Sequence, residues 1–114
     1  MQESGDIRER AFLFANAVLD IALSLPQAGV GSHIRDQISR SGTAIGVNIE
    51  EADGGTTKAE KRRSFITARK EAQETRYWLR IIAYRWPTAP GSEQALQEAT
   101  EIKSILSAII EKLS

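Results

Sequence analysis

The chain has 114 residues, in which 15 Lys plus Arg balance 15 Asp plus Glu, 41% of residues are hydrophobic, and cysteine is absent. That length suits one domain, residues 1–114, with a core of moderate size. Zero net charge excludes a global pull onto nucleic acid or membrane, and the missing cysteine excludes disulfides, thiol chemistry and cysteine-ligated zinc.

The amino-terminal MQESGDIRER is polar, with no apolar signal core. The segment AFLFANAVLDIALSL, broken by Asn16 and Asp20, is too short and too polar to cross a bilayer. A cytoplasmic, non-membrane protein is expected. The first helix is predicted over about residues 6–25, where Ile7, Ala11, Phe14, Val18, Ile21 and Leu25 alternate steps of four and three. Phe12, Leu19 and Leu23 lie on a second face of the same helix.

LPQAGVGS reads as a loop ending in Ser32, the expected N-cap of a second helix over about 32–53. Its seam is Ile34, Ile38, Ser41, Ile45, Ile49 and Ala52, and it contains Gly42 and Gly46, each disfavoured in a helix by roughly 1 kcal/mol relative to Ala. DGGTT is a turn, after which Thr57 and Glu60 have the spacing of a capping box. The third helix, about 57–86, carries Phe65, Ala68, Ala72, Thr75, Leu79, Ile82 and Trp86 on one face and Ile66, Tyr77, Ile81 and Tyr84 on another. WPTAPGS forms the last connection, Ser92 is its expected N-cap, and the fourth helix runs over about 92–113 through Ala95, Ala99, Ile102, Leu106, Ile109 and Leu113.

One apolar seam on each of four helices predicts an all-α antiparallel up-down-up-down four-helix bundle. Helices that are apolar on two faces need a second partner, so the chain is expected to assemble with itself in a homo-oligomer.

The residues give little support for catalysis. A carboxylate-bridged metal pair needs two ExxH motifs, but His33 is the single histidine and no Glu stands three residues before it. A Ser, His and acid arrangement is not suggested, and DGGTTK lacks the GxxxxGK spacing of a phosphate loop. Glu50 and Glu51, adjacent on a helix, point about 100° apart and share no site. The reading is of a non-enzyme with no metal and no cofactor.

Charge distribution is more informative. From Lys58 to Arg85 nine basic residues face three acidic ones, whereas helix four holds Glu93, Glu98, Glu101 and Glu111 against Lys103 and Lys112. Lys58, Lys61, Arg62, Arg63, Arg69 and Lys70 are the candidate nucleic-acid contacts, with Tyr77 and Trp78 available for stacking on unpaired bases. The alternative is a solvated helix face on a structural or protein-interaction scaffold. RNA and DNA are not distinguished by these residues.

RSGTAIGVNIEEA, Arg40 to Ala52, resembles a pattern of the type RSGTSIGANxxEA. Phe65, Ala68, Lys70, Glu71, Ala72, Glu74, Tyr77, Trp78, Leu79, Ile81 and Ile82 match FxxKxxIAxKEAxExxYWLxLL. Both patterns belong to the bacterial four-helix bundle proteins of ribosomal RNA intervening sequences, also called the S23 ribosomal protein family. Departures fall at Val47, Ile49 and Arg69. The resemblance implies an antiparallel bundle, a ring-shaped homopentamer and no enzymatic activity. A distant relative of similar fold serves diversity-generating retroelements, where a basic pentamer engages RNA and reverse transcriptase.

Read physically, the motif residues suggest a polar cluster in which Arg40 and Asn48, with Glu51 nearby, meet Glu71 and Glu74 between helices two and three. Gly42 and Gly46 form a near-bare strip expected to receive Trp78 or a helix of another subunit, so that bulk at Gly46 would damage packing or assembly. Phe12, Leu19, Tyr77, Trp78 and Ile81 complete the expected packing and oligomer surface.

Overall fold

A computed structural model describes the backbone of residues 3–114 and the side chains of residues 7–114; Met1 and Gln2, which open the polar amino-terminal stretch, lie outside the described residues. Four helices, α1 (Glu3–Leu23), α2 (Gly29–Asp53), α3 (Lys58–Arg85) and α4 (Ser92–Lys112), make up the fold, and no strand occurs among the described residues. The molecule measures 44 × 22 × 18 Å, its long axis close to the roughly 42 Å of a helix as long as α3.

The periodic apolar positions are the ones that fold together. All the seam residues are buried in one cluster except Trp86 and Leu113, which pack half-buried against its edge. Each helix touches two others, so α1, α2, α3 and α4 form a four-sided ring around the core. Sequence neighbours meet in reversed order: Ala52 faces Lys61 while Ser41 faces Thr75, and Arg69 faces Ser107 while Arg76 faces Thr100.

One polar pair interrupts the core. Thr75 Oγ1 lies 2.8 Å from both Ser41 Oγ and the Glu71 carbonyl oxygen. A hydroxyl has one hydrogen, so Thr75 donates to the carbonyl and accepts from Ser41. The pair satisfies itself between α2 and α3 and fixes their register.

The helix ends differ from expectation at two caps. The second helix starts at Gly29, with Ala28 at the N-cap and no side-chain cap, so Ser32 lies inside it. Glycines made this stretch look like a loop, but Gly31 is buried against Pro26, whose carbonyl oxygen would clash with any Cβ there. Close packing thus overrides poor helix propensity. Ser92 is likewise the first residue of α4 and not its N-cap, a place taken by Gly91 in the left-handed conformation at φ 80°; the Ser92 hydroxyl donates back to the Ala89 carbonyl. The Thr57–Glu60 capping box is formed, with Glu60 N donating to Thr57 Oγ1 and Thr57 N to Glu60 Oε1.

The glycine strip on α2 faces α1, not Trp78. A Cβ on Gly42 would lie 2.7 Å from Val18 Cγ1, whereas one on Gly46 would make ordinary contact with Ala11 at 3.8 Å. The tight position is therefore Gly42. Gly42→Ala is expected to lower unfolding free energy by roughly 1–3 kcal/mol through overpacking of Val18. Gly46→Ala is expected to raise it by up to about 1 kcal/mol through helix propensity, both read from urea denaturation.

Acid acts on the capping box. Hydrogen bonds from the Thr56 backbone and hydroxyl and from the Thr57 backbone hold the exposed Glu60 carboxyl below its ordinary pKa. A depressed pKa contributes stability above the ordinary value and loses it as pH falls through the folded one. Thermal melts across the acid range should show a smaller loss on acidification for Glu60→Gln than for the wild type.

Candidate nucleic-acid interface

The basic residues of α3 divide according to which side of the helix they leave. Lys61 reaches back to the end of α2, where Nζ donates to the Ala52 carbonyl at 3.2 Å, a favourable place for a cation at a helix C-terminus. Arg69 Nη1 donates to Ser107 Oγ at 3.2 Å and Arg76 Nε to Thr100 Oγ1 at 3.0 Å, both on α4. Arg85 lies over the Trp86 ring, 5.9 Å from its centroid. Lys58, Lys70 and Arg80 are exposed and make no ion pair or hydrogen bond among the described residues. Arg63 is exposed beside Glu60.

What α3 presents outward is consequently a stripe of Arg63, Lys70, Tyr77 and Tyr84, each seven residues from the next, with Arg80 beside it. Seven residues are nearly two helical turns, so the four side chains share one face and extend over roughly 31 Å. Tyr77 is 58% and Tyr84 88% exposed, whereas Ile66 and Ile81 pack half-buried on the core. The anticipated second apolar face is thus a cationic and aromatic one. Tyr84 and Arg80 are not among the candidate contacts read from the sequence, although the seven-residue recurrence puts Tyr84 in line with Arg63, Lys70 and Tyr77.

The polar cluster between α2 and α3 is smaller than the motif reading suggested. Arg40 forms ion pairs with Glu71, at 3.3 Å, and with Glu74. Asn48 takes no part: its amide donates to the Ala44 carbonyl one turn earlier, which satisfies it within its own helix. The Glu51 side chain is exposed and makes no hydrogen bond or ion pair among the described residues. Trp78 joins the cluster, its Nε1 donating to Glu74 at 3.3 Å, with His33 edge-on at 6.1 Å and Tyr77 at 6.0 Å between ring centroids.

Arg8 and Arg10 build similar clamps. Arg8 holds Glu50 and Asp53 on α2, and Arg10 holds Glu98 and Glu101 on α4. Hydrogen bonds to Glu50, Glu98 and Glu74 raise the already high pKa values of Arg8, Arg10 and Arg40. Among the described residues no group of three or more His, Asp or Glu is placed to hold a metal ion. On α1, Phe12 and Leu23 are exposed and Leu19 is half-buried; Leu13 and, on α2, Val30 and Val47 are also exposed.

Fold and surface together define a small all-α protein of four helices, one of which carries exposed cations and tyrosines. The chain belongs to the 23S rRNA-intervening sequence protein family, whose model matches residues 3–108. A solved structure from Bacteroides thetaiotaomicron VPI-5482, a protein with unknown function from the S23 ribosomal protein family, is 29% identical and covers 96% of this chain and 99% of its own, with a TM-score of 0.85. No curated protein matches the chain. The family resemblance carried by Arg40–Ala52 and the Tyr77–Trp78 motif is borne out.

Removing Arg40 leaves two carboxylates one turn apart without their shared cation. Arg40→Ala is expected to cost no more than about 1 kcal/mol, as befits an exposed clamp, and the loss should narrow at high salt. Urea denaturation at low and high ionic strength measures it.

Proposed function

We propose that the protein is a non-enzymatic RNA-binding accessory module, a single domain of residues 1–114 built as an antiparallel up-down-up-down bundle. The observation that carries this reading is the outward stripe Arg63, Lys70, Tyr77 and Tyr84, with Arg80 alongside. Net charge is zero, yet α3 holds nine of the 15 basic residues and three of the 15 acidic ones. Cations attract phosphate, and exposed tyrosine rings stack on bases without demanding a sequence. The family takes its name from intervening sequences of 23S ribosomal RNA, which makes RNA the ligand to test first.

Self-association completes the reading. Phe12 and Leu23, exposed on α1 with Leu19 half-buried between them, provide an apolar surface apart from the cationic helix. A homopentameric ring, as the family resemblance implies, would repeat the stripe and sum its field. A cytoplasmic location is in keeping with the absence of cysteine, and no helix among the described residues is long and apolar enough to cross a membrane.

Fluorescence anisotropy with a labelled single-stranded RNA tests the proposal. The wild type should bind at low salt with log K falling linearly in log salt, at about −0.7 per phosphate contact. The triple variant Arg63→Ala, Lys70→Ala, Arg80→Ala should lower the slope magnitude by about 2. Equal, weak binding by both proteins at low salt overturns the RNA reading in favour of a scaffold whose cations are only solvated.

A further inference from the structure

Three of the four seams between helices are closed by an arginine that grips two carboxylates: Arg8 on Glu50 and Asp53, Arg10 on Glu98 and Glu101, and Arg40 on Glu71 and Glu74. The α3–α4 seam is built differently. Arg69 and Arg76, both half-buried, reach the uncharged hydroxyls of Ser107 and Thr100. Arg62, seven residues before Arg69 and therefore on the same face, is half-buried too, and its Nε is buried without a hydrogen-bond partner. Opposite them Lys103 stands half-buried on the α4 face that carries Thr100 and Ser107. Among the described residues none of these four cations forms an ion pair.

A guanidinium stays charged in a protein and offers five donors, of which one hydroxyl occupies one. The row of Arg62, Arg69 and Arg76 extends over roughly 21 Å, with about 10.5 Å between successive arginines. Like charges at that spacing, partly withdrawn from water, repel one another weakly through salt, and an anion that joins them replaces that repulsion with attraction. An anion that meets all three has to be extended, because they are strung over about half the length of α3.

We infer that the α3–α4 seam is the backbone track for single-stranded RNA, with its phosphates on Arg62, Arg69 and Arg76 and its bases turned onto Tyr77 and Tyr84. This rests on the reading of α3 as an RNA-binding helix and deepens it by naming the strand and its path. The two tyrosines lie on the face of α3 that adjoins the arginine row, with Arg80 between. Their exposed rings need unstacked bases, which a duplex withholds. An acidic protein would fill the row of charges and leave the tyrosines unexplained.

Anisotropy titrations of a labelled oligouridine and of an RNA duplex of equal length, across a range of salt, test the track. Arg69→Gln with Arg76→Gln keeps a donor for each hydroxyl while removing both charges; it should lower the slope magnitude by about 1.4. Replacing both arginines by Lys should retain the slope. Tyr77→Ala with Tyr84→Ala should weaken binding with the slope unchanged, and the duplex should bind more weakly than the single strand. In the unmutated protein bound RNA should protect Arg69 and Arg76 from phenylglyoxal, a readout that needs no variant to fold.

A folded double Gln variant with wild-type slope, or unprotected Arg69 and Arg76 in the presence of bound RNA, overturns the track while leaving RNA binding by α3 intact. Equal affinity for the duplex overturns the assignment to single strands. Displacement of the RNA by polyglutamate at equal charge overturns it in favour of an acidic protein partner. No salt-dependent binding of either RNA by the wild type removes the reading on which the track rests.

Discussion

Each helix buries one apolar stripe against its two neighbours, and that limit decides what the remaining faces carry. On α3 the stripe from Phe65 to Ile82 is enclosed by α2 on one side and α4 on the other. Cations on the α4 side of that stripe must run along the helix contact, where Arg69 and Arg76 find hydroxyls. Those further round the helix emerge into water as Arg63 and Lys70, with Arg80 between the two rows. The charge segregation of α3 therefore becomes two parallel rows only because the core fixes the rotation of the helix about its axis.

Burial periodicity was legible in the sequence because it is local: steps of three and four name the inward face without reference to any partner. The Thr57–Glu60 box was legible for the same reason, since both of its hydrogen bonds join residues three apart. Partner identity was not. Gly42 and Gly46 announced a close approach, but nothing in a stripe says which helix comes close, and Val18 and Ala11 of α1 take the place given to Trp78. Asn48 fails for another reason, because a short amide on a helix reaches its own carbonyl at i−4 more readily than a neighbouring helix. The early start of α2 was hidden by glycines whose poor propensity is offset by packing on Pro26.

The same distinction applies to the cations. Sequence marks Lys61 and Arg69 as members of a basic run, yet their long apolar stems carry the charge along the surface to targets on other helices, the Ala52 carbonyl and the Ser107 hydroxyl. Lys61 thereby serves the end of α2, and its charge meets the negative pole of that helix. A count of nine basic residues describes the potential of the helix; only the tertiary contacts say where on the surface each charge comes to rest.

The arginine clamps show why the fourth seam is the informative one. Exposed ion pairs add little stability, and Arg8, Arg10 and Arg40 act mainly by joining charges that would otherwise repel within each helix, such as Glu71 with Glu74 or Glu98 with Glu101. A bundle stabilised by its core has no need of a fourth clamp. It would, however, gain from not setting several cations side by side along α3–α4 without an ion pair among them. Glu101 and Glu98 on α4 turn to Arg10, and Thr100 and Ser107 occupy the positions that meet α3. Uncharged acceptors there hold the Arg69 and Arg76 guanidiniums in place while leaving their charge and most of their donors uncommitted, which is what the proposed track for an external polyanion requires.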